Sequence, residues 1–158
     1  MKKIYRFLRL SSSDKTLFMK AFFLLFLMKF GLWCLPFQSL LEFQKKMENS
    51  KMISGQENYN QNSPQCQFAI GRCVKAVNWS TQYMPGGAKC LARALTTQIL
   101  LRRRGYPSEL RIGVKKGLGN QLEAHAWVEL NHQVIIGQVS ELQSFIPFSS
   151  LATAEQFR

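Results

Sequence analysis

The order of elements between Cys90 and Gln138, one helix and then alternating strands, constrains this chain more than any other part of it. A Pro85-Gly86-Gly87 turn gives way to Leu91, Ala94, Leu95, Gln98, Leu101 and Arg102, which recur at helical spacing with a mostly apolar inward stripe. Arg102, Arg103 and Arg104 fall in the last turn, where the helix dipole favours cations, and Gly105 is a natural C-cap. Beyond Pro107, Leu110, Ile112 and Val114 alternate with Glu109, Arg111 and Lys115, the pattern of a half-buried strand. A second strand carries Ala124, Ala126, Val128 and Leu130 on one face and His125, Trp127 and Glu129 on the other. Asn131-His132 reads as a hairpin turn, with residues 133–137 returning. The pattern predicts an α+β fold in which the helix packs on a small antiparallel sheet.

Two groups in this stretch can do thiol chemistry together. Cys90 opens the helix, where the positive end of the dipole favours thiolate over thiol. His125, on a strand, can take the thiol proton and return it to a leaving amine, provided the fold brings the ring within hydrogen-bond reach. Each residue alone is more often a packing residue. The combination of thiol at a helix start and imidazole on a following strand is what raises the catalytic reading, because unrelated thiol enzymes are built from those parts.

Composition narrows the setting. A chain of 158 residues suits one domain with an accessory segment. Its net charge of +12 is unevenly placed: basic residues crowd the first third and the run from Arg102 to Lys116, whereas Gly117 to Phe157 carries only Glu123, Glu129, Glu141 and Glu155. Such a surface attracts an acidic peptide or an anionic membrane; no nucleic-acid recognition motif is present, and nucleic acid is not expected as a partner. The four cysteines (Cys34, Cys66, Cys73, Cys90) show neither a CxxC pair nor the spacing of a zinc site, so neither metal nor cofactor is expected. A reducing, cytoplasmic compartment is expected, with Cys66 and Cys73 as small core residues on one helix face.

The chain divides into an apolar helical segment (1–47), a polar linker (48–64) and a catalytic domain (65–158). In the first segment Ser13 or Asp14 is the expected N-cap and Pro36 limits the helix at its far end. Lys20 and Lys29 interrupt the apolar run, leaving only Ala21 to Met28 clean, short of the roughly 20 residues a span requires. Three readings rank in order: a helix packed on the domain, a helix lying on a membrane surface, and a true span.

The same motifs carry a family resemblance. Cys90-Leu91-Ala92-Arg93-Ala94-Leu95, the helix end Leu100 to Gly105, the strand Arg111-Ile112-Gly113-Val114, and Ala124-His125-Ala126-Trp127-Val128-Glu129 occur in order and at short separation. Together they resemble the transglutaminase-like processing proteases of lasso-peptide biosynthesis, over roughly Ile70 to Leu151. The resemblance implies a transglutaminase-like, papain-like core and a cysteine protease that removes the leader from a ribosomally made precursor peptide. It further implies a separate leader-recognition protein and an ATP-dependent lasso cyclase as partners, Cys90 as nucleophile and His125 as base. An aspartate twelve residues after the histidine usually completes the site in that family, and here the position is Gly137. If Leu130 pairs with Gln133, Gln138 lies across from His125, which makes Gln138 the provisional orienter in place of the aspartate. Glu129 and Glu141 are further candidates. The alternatives are an acyl transferase of the same fold and a non-catalytic peptide-binding module.

Overall fold

The computed structural model describes residues 11–34, 63–117, 119 and 121–147. Of the expected linker, residues 48–62 lie outside the described residues, while Ser63 and Pro64 begin a helix. Three helices are described: α1 (Ser12–Cys34), α2 (Pro64–Tyr83) and α3 (Cys90–Arg102). A four-stranded antiparallel sheet follows, built from β1 (Glu109–Lys116), β2 (Leu122–Leu130), β3 (Gln133–Ile136) and β4 (Ile146–Pro147), in the order β3-β2-β1-β4. This is the α+β arrangement expected from the sequence.

Local chemistry sets the helix ends. The Ser63 hydroxyl accepts from the Cys66 N–H and Pro64 occupies the first helical position, where its missing N–H costs nothing. In α1 the first turn starts earlier than expected: the Ser11 carbonyl accepts from the N–H groups of Asp14 and Lys15. Ser13 and Asp14 are therefore not caps. They bind Arg72 of α2 instead, with Nε 2.7 Å from the Asp14 carboxylate and the guanidinium 2.8 Å from the Ser13 hydroxyl. After α3, Gly105 takes a left-handed φ of 82° and the Tyr106 N–H bonds back to the Leu101 carbonyl, closing the helix as Gly at this position predicts.

The core lies between the helices and one face of the sheet. Leu17, Ala21, Leu24, Leu25 and Met28 of α1 meet Ile70, Cys73 and Val77 of α2 and Leu95, Ile99 and Leu101 of α3. Ala126, Val128 and Leu130 of β2 complete it from below. Burying a side chain such as Leu25 or Met28 stabilises by about 1.5–3 kcal/mol, and α1 contributes seven buried residues, so it is an integral layer of the domain. Its outer face is also apolar: Met19, Phe23, Phe26, Leu27, Phe30 and Trp33 are exposed, Trp33 to 83%. The helix is long and apolar enough to cross a membrane, yet its inner stripe is occupied by protein, as the first of the three readings requires.

Candidate active site

Cys90 is the first residue of α3 and is half-buried against the edge of the core, its thiol unpaired. Lys89, at the N-cap, supplies no side-chain hydrogen bond. The first N–H groups of the helix thus have no intrahelical acceptor and remain available to an anion beside the sulfur. Two restraints place the thiol. Lys29 of α1 donates to the carbonyls of Pro85 and, at 2.8 Å, Gly87, pinning the loop that leads into the helix. One turn on, Arg93 donates to the Asn78 side chain of α2 at 2.8 Å. Sequence reasoning missed Lys29 as a site residue, reading it only as an interruption of an apolar run.

His125 stands on β2, opposite Gly113 of β1. Its ring stacks on Trp127 (centroids 6.2 Å apart, planes at 17°) and leans on Phe145 at 5.4 Å. Trp127 is itself buried to 3% exposure beneath Gly113, where a Cβ would lie 3.0 Å from its ring, and its Nε1–H donates to Glu129 at 2.7 Å. The imidazole therefore rests on a rigid floor. Its Nε2 lies 2.7 Å from the carbonyl oxygen of Gly137. A carbonyl only accepts, so Nε2 carries the proton and Nδ1 is left as the ring's basic nitrogen.

The expected partners of His125 are placed elsewhere. The turn Asn131-His132 forms with both residues at positive φ (52° and 62°), and Leu130 pairs with Gln133 as predicted. A bulge opposite Val128/Glu129 then shifts the register, and the ladder ends at Ile136. Gln138 consequently does not fall across from His125; it is exposed and makes no hydrogen bond to the ring. Glu129 holds Arg111 and Trp127, and Glu141 holds Lys115. Neither carboxylate is free to serve the imidazole.

Ala126 and Val128 turn toward the helices, whereas His125 and Trp127 leave from the reverse face, beneath Phe145. No hydrogen bond joins Cys90 to His125 in this structure. Beside His125 the regular ladder between β2 and β3 has ended, and the chain at Gly137 lies close against Ala126 and Trp127 of β2, its carbonyl at Nε2 of the ring. Two surface hollows lie away from these residues, one of about 710 Å³ between α2 and the β2–β3 hairpin and one of about 390 Å³ against α1 and α2; neither is bordered by Cys90 or His125.

A cysteine opening a helix that packs on an antiparallel sheet, with a histidine on the second strand, is an arrangement consistent with a cysteine protease or an acyltransferase. The model of the transglutaminase-like superfamily matches residues 31–150, well over half of the chain, and the protein belongs to that superfamily. Its members are commonly cysteine peptidases or transferases. No curated protein and no solved structure matches the chain.

Proposed function

We propose that this protein is a cysteine peptidase that removes the leader from a ribosomally synthesised lasso-peptide precursor. The observation that carries the reading is the pair of complementary states on the two elements: a thiol at an uncapped helix N-terminus, and an imidazole bonded through Nε2, with Nδ1 unbonded among the described residues and so left to act as base. The motifs around both residues support the substrate class.

In the proposed reaction Cys90 transfers its proton to Nδ1 of His125, and the thiolate attacks the carbonyl at the leader–core junction. The N–H groups at the start of α3, including that of Cys90, stabilise the oxyanion. The protonated imidazole then gives its proton to the departing core amine, leaving the leader as a thioester on Cys90. Water, deprotonated by Nδ1, hydrolyses the thioester, releasing the leader carboxylate and regenerating the thiol. The freed core N-terminus is the group a separate ATP-dependent cyclase would close onto an acidic side chain. A separate leader-recognition protein would present the precursor.

The test is cleavage of a cognate precursor, followed by mass spectrometry, with and without the leader-recognition protein. Wild-type protein is expected to yield a leader with a free carboxylate, and Cys90→Ala none. Cleavage retained in Cys90→Ala, or a new amide in place of the carboxylate, overturns the peptidase reading.

A further inference from the structure

We propose that the main-chain carbonyl of Gly137 is the third member of the site, the positioning group that holds His125 in the tautomer and plane needed for a base at Nδ1. The inference rests on the thiol–imidazole reading above and adds to it a part with no side chain. Three observations carry it. The acceptor is in place, 2.7 Å from Nε2, in good hydrogen-bond geometry. Among the described residues, the side chains expected to do the same are occupied or turned away: Glu129 by Arg111 and Trp127, Glu141 by Lys115, and Gln138 in solvent.

The third observation is that residue 137 admits no side chain at all. Gly137 has φ of +91°, and a Cβ built there would lie 2.7 Å from Trp127 Cβ and 2.9 Å from both the Ala126 carbonyl and Trp127 Cα. Real Cβ contacts are never so short, and the clash is with backbone, which cannot swing aside. The close approach is what brings the carbonyl of residue 137 to the ring. Glycine at this position therefore does for His125 what a carboxylate would do from a looser backbone, with one chemical difference. The carbonyl fixes the tautomer through a single hydrogen bond but brings no charge to balance an imidazolium.

The experiment reads the tautomer directly. Long-range proton–nitrogen correlation spectra of the full chain, labelled at histidine, distinguish Nε2–H from Nδ1–H, and a His132→Gln variant assigns the only other histidine. His125 is expected to be locked as Nε2–H; an Nδ1–H ring, or an averaged mixture of the two, overturns the proposal. A second measurement replaces the amide between Gly137 and Gln138 by an ester, introducing the α-hydroxy analogue of glutamine at 138. No side chain changes, but the carbonyl becomes a weaker acceptor. Loss of about one hydrogen bond's strength should lower the rate of Cys90 alkylation near neutral pH up to about tenfold and loosen the tautomer lock, while Trp127 keeps its near-ultraviolet dichroism. Unchanged tautomer and alkylation rate would show the carbonyl to be a bystander. Because the spectra need no turnover, a locked ring in wild-type protein that cleaves no precursor would mark failure of the peptidase reading alone, and an unlocked ring in wild-type protein that does cleave would mark failure of this one alone.

Discussion

Lys29 on α1 reaches across to the carbonyl of Gly87 at 2.8 Å, three residues before the thiol of Cys90. The ammonium also binds Pro85, so one buttressing side chain holds a loop whose two glycines, Gly86 and Gly87, both sit at φ of 69°. A loop of that conformation has little intrinsic preference for one shape, and a charged donor with two carbonyl acceptors supplies it. The N-terminal helix is thereby part of the site's scaffold.

Lys29→Met is expected to leave the helical dichroism intact, since its neighbours on α1 stay buried, but to slow precursor cleavage. A loss of about 1–3 kcal/mol of charge-assisted hydrogen bonding to the loop corresponds to roughly 5- to 150-fold if the start of α3 is equally displaced. Steady-state cleavage assays on the purified variant check it, with alkylation of Cys90 as an independent readout. An unchanged rate would show that the loop holds its shape unaided.

Gln138→Ala should change the cleavage rate by no more than about twofold, because the bulge and the end of the ladder at Ile136 leave this amide exposed and unbonded to the ring. A large loss would restore the orienting role that the simple hairpin register assigns to it.

On α1 the two faces are expected to answer differently to truncation. Leu25, fully buried, should cost about 2–5 kcal/mol when replaced by Ala, and Phe23, exposed to 69%, within about 0.5 kcal/mol. Urea denaturation of the two variants in the absence of lipid makes the comparison. Equal effects would mean that the helix does not pack on the domain as described.

Alkaline pH should weaken the fold. Burial raises the Cys73 thiol above its ordinary value of 9.0, with Arg104 and Arg72 opposing the shift, and burial likewise raises Tyr106, helped by Cys66 and Cys73. Both groups are neutral in the folded state and ionise more readily when unfolded. Their contribution is therefore fully present below the unfolded values, near 9 and 10, and declines as pH rises through the folded ones. Urea midpoints at pH 8 and pH 10 are expected to fall, and Cys73→Ser should show a shallower decline from its own lower starting point. A flat profile across that interval would contradict the burial of Cys73.

Several features were readable from the chain alone because their causes are local. The helix beginning at Cys90 follows from apolar spacing and a Gly-rich entry, and its end from Gly105. The β2–β3 turn follows from Asn131-His132, residues that tolerate left-handed backbone. The alternation that sends His125 and Trp127 to one face and Ala126 and Val128 to the other is a consequence of strand geometry. The roles of Lys29, Phe145 and Gly137 could not be read this way. An apolar helix interrupted by lysine looks alike whether the ammonium meets water, lipid headgroups or a loop's carbonyls.

What the amino-acid order determined by itself was the succession of elements and the two residues able to carry thiol chemistry, since periodicity, turn chemistry and the dipole of a helix act over a few neighbouring residues. What only the folded chain decided was how the imidazole is held. That depends on one extra residue in a ladder and on a backbone carbonyl, a group every residue possesses, which acquires a role only when the third dimension presses it against a ring.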